Sequence, residues 1–250
     1  KETALVWALS SFVSEADLAR NPVVDGKPLR DRIGGATIHD DCTLENHNRV
    51  HPDYMGTFIL CNYQKLVYEE GGIKAPEAIA FNTACIYESL KRLSFPDGGW
   101  IYPNGQDWRL HRNTDWINIH VANMSLYKDA QAARLARITI ETTERMAARD
   151  PKGGVYAAGE YFFPSTQHSF FDWTGHAYLF LRAYGEEPAP VEESALWKDL
   201  AGKYLFETGK FGVLRTEKSV STFSWGAQVM GMVLPIQKDL LLAPHERSLI

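Results

Sequence analysis

Apolar positions fall at Ile79, Thr83 (through its methyl), Ile86, Leu90 and Leu93, in alternating steps of four and three. That spacing draws one stripe on a helix and predicts a helical segment from about Pro76 to Leu93. Met55, Phe58, Ile59, Asn62 and Leu66 repeat the stripe less cleanly before it, and Trp173, Ala177, Phe180, Leu181 and Tyr184 repeat it later. Segments near 2–20, 115–128, 129–149 and 192–206 also read as helices, for roughly seven in all.

The helices are separated by similar punctuation. Ser94-Phe-Pro-Asp-Gly-Gly-Trp100 ends one hairpin, Asp150-Pro-Lys-Gly-Gly-Val-Tyr156 ends another, and Thr208-Gly-Lys-Phe-Gly-Val213 reads as a third. Proline stops a helix, paired glycines permit positive φ, and an aromatic follows. Three connections, about 21–52, 95–114 and 151–170, are far longer than a helical hairpin needs, and long loops in a compact fold tend to be functional. They should open on one end of the helical array.

After about Gly209 the texture changes. Residues 212–226 are β-branched and partly alternating, and Gln228 to Pro235 reads as another strand. The expected architecture is therefore mainly α: an α/α toroid of helical hairpins over 1–208, then the start of an antiparallel β domain over 209–250. Two or three strands cannot bury a face alone, so further domains of the same protein are expected to complete the sheet.

Composition narrows the classes. At 250 residues with 45% hydrophobic and 23% charged, the chain can build one sizeable core. A net charge of -5 gives no reason to expect nucleic acid or an anionic membrane as partner. No apolar run approaches the roughly 20 residues of a membrane helix. Of the three cysteines, Cys61 and Cys85 sit on apolar helical patterns and read as buried free thiols. Lys1 follows neither an initiator Met nor a signal peptide, which fits a removed leader or a chain that starts mid-protein.

The chemistry-capable residues crowd the three connections. The first, His39 to Tyr54, offers His39, His47, His51, Asp40, Asp41, Glu45, Asn46, Asn48, Arg49 and Tyr54 just before a helix, with Asp53 as its expected cap. Surface loops favour Lys, Glu and Ser over such a mixture of His, Asn and aromatic residues. Asn46, His47, His51 and Tyr54 are the catalytic candidates. In the second connection Trp100, Tyr102 and Trp108 offer flat apolar faces, while Arg109, His111, Arg112 and Asn113 offer in-plane hydrogen bonds, a combination that suits a sugar. Arg109 or Arg112 could clamp a carboxylate. The third connection adds Glu160, Tyr161, Gln167 and His168. The sequence holds no GxSxG elbow, Walker loop, GxGxxG, CxxC or HExxH. His39, Asp41, His47 and His51 could ligate a metal, but their spacing fits no standard pattern, so no cofactor is expected.

Helical hairpins with glycine-rich turns followed by antiparallel β texture resemble the polysaccharide lyases with an α/α toroid and a β-sandwich, such as the heparinase and chondroitin or hyaluronate lyase groups. At motif level the resemblance rests on Asn46-His47 to Tyr54 and on Arg109 to Asn113. It implies β-elimination at a uronic acid of a polysaccharide or oligosaccharide substrate, and a secreted or periplasmic setting. Asn46, His47 or Arg112 would neutralise the substrate carboxylate, and His51 or Tyr54 would take the neighbouring proton. A tyrosine serves as base only where nearby positive charge favours its phenolate, which makes Arg49 and His47 relevant. Two other readings use the same residues. An inverting glycoside hydrolase would need two carboxylates about 6.5–9.5 Å apart, drawn from Asp41, Glu45, Asp97, Asp107 and Asp115. A non-catalytic glycan-binding module would explain the aromatics but not the histidine cluster.

Overall fold

The computed structural model describes residues 2–105, 116–156, 166–185, 187–226 and 228–237. Its first segment, expected as one helix over 2–20, is two: α1 (Glu2–Ser10) and α2 (Glu15–Arg20). Ser14 breaks the run by capping α2, accepting from the Asp17 amide while Asp17 accepts from the Ser14 amide at 3.0 Å. Two short hairpins follow, β1 (Val23–Val24) with β2 (Lys27–Pro28), and β3 (Glu45–Asn46) with β4 (Arg49–Val50).

The helical array begins at α3 (Pro52–Met55), which passes through a 3₁₀ turn into α4 (Ile59–Glu70). The stripe read from the sequence is the buried face of this rod: Met55, Phe58, Ile59, Asn62 and Leu66 are all buried. The segment expected over 76–93 is a 3₁₀ turn at 77–80, a left-handed Asn82 (φ 59°), and α5 (Thr83–Leu93). Then come α6 (Trp116–Tyr127), α7 (Ala130–Ala147) and α8 (Thr166–Tyr184). Lys128, just past α6, donates to the Tyr184 carbonyl at the end of α8, and the Tyr184 hydroxyl donates to Glu69 near the end of α4. The C-terminal ends of α4, α6 and α8 therefore meet, and the three helices run parallel. Much of the second and third long connections, 106–115 and 157–165, lies outside the described residues.

Two of the three glycine turns share one construction. Asp97 accepts from the Gly99 amide with Gly98 at φ 85°, and Asp150 accepts from the Lys152 amide with Gly153 at φ 74°. The first is wedged between helices: a Cβ on Gly98 would sit 2.0 Å from the Thr139 hydroxyl, and one on Gly99 2.3 Å from the Trp116 ring. The third glycine cluster is a β-turn instead. The expected helix over 192–206 ends early, as α9 (Glu193–Asp199), and the chain enters β5 (Gly202–Phe206). With β6 (Phe211–Arg215), β7 (Ser219–Trp225) and β8 (Val229–Pro235) it forms an antiparallel meander in the order β5-β6-β7-β8. The sheet thus starts at Gly202, ahead of the expected boundary at 209.

Phe206, Phe211, Val213 and Val220 carry one face of the sheet into the same core as α4 to α8. Arg215, fully buried, fastens it there by donating to the Arg92 and Ser94 carbonyls at the end of α5, at 3.0 and 2.7 Å. Burial lowers its pKa to about 10. The opposite face exposes Leu205, Leu214, Phe223, Trp225, Val229 and Val233. Cys42 and Cys85 form a disulfide across 43 residues, which corrects the reading of Cys85 as a free thiol. Cys61 is free and buried, and burial pushes its thiol up to about 11. No helix among the described residues is long and apolar enough to cross a membrane.

Candidate functional site

The first connection folds into a site because its hairpin turn demands unusual backbone. His47 (φ 53°) and Asn48 (φ 62°) occupy the two turn positions between β3 and β4, both in the left-handed region. Such a two-residue turn matches the twist of its strands, and Asn and His tolerate the conformation better than most residues. His47 is thereby held exposed at the hairpin tip, with Asn46 half-buried beside it. The hairpin is anchored from behind. Asp41 accepts from the Thr43 hydroxyl and from the Gly209 amide in the β5–β6 turn, and Cys42 is tied to α5 through its disulfide.

The chain then turns into α3 with His51 at the N-cap position and Pro52 first in the helix. His51 makes no side-chain cap, and Asp53, expected to cap, is the second residue of α3 rather than its N-cap. Its carboxylate points inward. Oδ1 accepts from the Tyr102 hydroxyl at 2.9 Å, and Oδ2 lies 3.3 Å from His51 Nδ1. Tyr54 presents an edge to the His51 ring at 5.3 Å and another to His47 at 6.4 Å. His51, Asp53 and Tyr102 are buried, whereas Tyr54 is half-buried. The result is a graded series, from exposed His47 through Tyr54 to a buried His51–Asp53–Tyr102 group.

This geometry revises several expectations. Trp100 and Tyr102 were expected to offer ring faces to a sugar, but both are fully buried. The Trp100 ring packs 4.9 Å from His120, and Tyr102 serves Asp53. His51, expected as a possible base, is also at 0% exposure. His168 is exposed on the first turn of α8. Trp108, Arg109, His111, Arg112 and Asn113 lie outside the described residues, as do Asp107, Asp115, Glu160 and Tyr161. Gln167 ties its own loop together, accepting from the Val155 amide at 2.9 Å. Among the described residues no group of three or more His, Cys, Asp or Glu is placed to hold a metal, and His39, Asp41, His47 and His51 do not converge into one. Of the carboxylates considered for hydrolysis, Asp41 and Asp97 are engaged in their own turns and Glu45 faces His39 at 3.5 Å.

A further buried histidine lies in α6, outside the three connections. His120, in the middle of an unbroken buried run from Ile117 to Ser125, donates through Nε2 to the Gly98 carbonyl at 2.8 Å and accepts at Nδ1 from the Tyr87 hydroxyl at 2.9 Å. Burial lowers its pKa to about 4 against the modest pull of the Gly98 bond, so the imidazole is neutral. Its job is to hold the Pro96–Gly99 turn against α6. No family model, curated protein or solved structure matches the chain.

Proposed function

We propose that this chain is a carbohydrate-active enzyme, a polysaccharide lyase that cleaves a uronic-acid-containing polysaccharide by β-elimination. The observation that carries the reading is Tyr54, half-buried between the exposed His47 and a buried His51–Asp53 pair. In the proposed reaction Tyr54, as its phenolate, takes the proton beside the uronate carboxylate, the bond to the glycosidic oxygen breaks, and Tyr54 returns that proton to the leaving oxygen. The product is an unsaturated uronate end. Asn46, His47 or Arg112 stabilises the carboxylate, so that charge developing on it in the transition state meets a hydrogen-bond donor. His51, steadied by Asp53 and Tyr102, positions Tyr54. The toroid architecture and a secreted or periplasmic setting belong to the same reading, and the Cys42–Cys85 disulfide suits an oxidising compartment.

The test is digestion of uronate polymers followed by ultraviolet absorbance. Unsaturated ends support the lyase. New reducing ends without that absorbance would move the assignment to an inverting hydrolase, and binding without turnover to a glycan-binding module.

A further inference from the structure

A second cluster lies deeper between the same three helices. Tyr63 in α4, Asn118 in α6 and His176 in α8 stand 7, 9 and 8 residues before the last residues of their helices. With a rise of 1.5 Å per residue, all three sit at one level, about 12 Å from the end where the helices meet. The Tyr63 hydroxyl donates to Asn118 Oδ1 at 2.6 Å. The His176 ring is 4.8 Å from Tyr63 and 5.5 Å from Trp173, which lies parallel to Tyr63 (2° between planes). Trp173 is about one turn nearer the start of α8.

Two atoms of this cluster are buried without a protein partner. Asn118 is fully buried, yet its Nδ2 donates to nothing, and His176 Nδ1 is likewise buried and unbonded. A buried polar group left unpaired costs about 1–3 kcal/mol, and a helix packed on apolar neighbours would tolerate Leu or Ala at both positions. The rings beside them, Tyr63, Trp173 and His176, are half-buried rather than sealed in the core. The four side chains carry no carboxylate, lysine or arginine.

We propose that Tyr63, Asn118, Trp173 and His176 form a subsite for a neutral pyranose ring. Resting on the lyase reading, it takes the uncharged sugar that alternates with the uronate. An apolar C–H face stacks on Trp173, while hydroxyls accept from Asn118 Nδ2 and exchange a hydrogen bond with His176 Nδ1. The lack of charge favours a neutral ring over the uronate, whose carboxylate would want a cation.

Binding of tetrasaccharides of hyaluronan, chondroitin and heparosan, measured by calorimetry, tests this separately from turnover. Wild type is expected to bind at least one of them, and Trp173→Ala and His176→Gln to weaken that binding about ten- to a hundredfold while melting as wild type. Asn118→Ala should do the same, but it removes the Tyr63 bond, so the two half-buried positions decide. Folded Trp173→Ala and His176→Gln that bind as wild type overturn the subsite, even if unsaturated ends still form. Failure of wild type to bind any of the three tetrasaccharides also overturns it. Binding lost in the variants with no unsaturated product in wild type keeps the subsite and rejects the lyase.

Discussion

His51 and His120 are both fully buried, yet they sit in opposite chemical settings. His120 has one neutral partner on each nitrogen, the Gly98 carbonyl and the Tyr87 hydroxyl, inside a closed wall of helix and indole. Nothing there can receive its proton or supply one. His51 faces a carboxylate on one side and the edge of a half-buried tyrosine on the other. A proton on His51 would be matched by Asp53, and a change at Tyr54 would be felt by both. Burial alone therefore does not separate a structural histidine from one proposed to serve a site. What separates them is whether a partner can change charge and whether the group beyond it reaches solvent.

The largest expected effect follows from Tyr54. Tyr54→Phe keeps the ring edges against both imidazoles and removes only the hydroxyl, so melting should barely move. Turnover of the uronate polymer should fall by about 10²–10⁴-fold if that hydroxyl transfers the proton. Near-native turnover in a folded Tyr54→Phe would take the working role away from this side of the comparison. His120 should show its effect in stability instead. Its folded pKa of about 4 lies below the ordinary 6.5, so the folded state binds this proton less readily than the unfolded one. The contribution is fully present above about pH 6.5 and is lost as pH falls towards 4, by on the order of 3 kcal/mol. Denaturant unfolding across that window should show the loss in wild type and a flatter profile in His120→Gln. An unchanged profile in that variant would mean His120 is not held neutral by the fold.

Much of the helical array was readable because a buried stripe leaves its spacing in the sequence. Met55 to Leu66 and Ile79 to Leu93 are buried where their period placed them, and α6 and α7 fall close to their predicted ranges. Breaks inside a periodic run were not readable: Ser14 and Asn82 start new helices through a local hydrogen bond and a left-handed φ, and neither disturbs the pattern around it. In β5 the alternation of Tyr204 and Phe206 spans too few residues to overrule the helical signal of Leu196 and Trp197 before it. At the site, residue type drew attention to the right stretch but could not assign depth. Trp100 and Tyr102 have flat apolar rings that suit a core and a sugar equally, and their burial comes from contacts with His120 and Asp53, remote in sequence. Asp53 follows Pro52 at a helix start, where a cap and a partner for His51 leave the same trace. The Cys42–Cys85 pairing likewise depends on α5 returning to the first loop.

A smaller effect is expected one step back from Tyr54. Asp53→Asn keeps the shape of the side chain and its acceptor for Tyr102 but removes the charge facing His51. If the pair positions Tyr54, turnover should drop roughly 10–10²-fold and the pH–rate profile should shift, while substrate binding stays near wild type. Loss of stability with an unaltered pH profile in the remaining folded enzyme would make the pair structural, and His51 no different in kind from His120.

The smallest effect should come from Tyr87→Phe, which tests the other side directly. The substitution keeps the buried ring and deletes the one hydroxyl that donates to His120 Nδ1. The imidazole cannot turn to find another donor without losing the Gly98 carbonyl, so its Nδ1 is left unpaired in the core. The expected cost is about 1–2 kcal/mol in denaturant unfolding, the range for a buried neutral acceptor without a partner. Turnover per folded molecule should stay within about twofold, because Tyr87 and His120 bond to each other and to the Gly98 carbonyl, away from Tyr54 and the His51–Asp53 pair. A large fall in turnover without unfolding would show that the Pro96–Gly99 turn, which His120 holds, transmits its position through Trp100 and Tyr102 to Asp53. The two histidines would then be parts of one device rather than opposites.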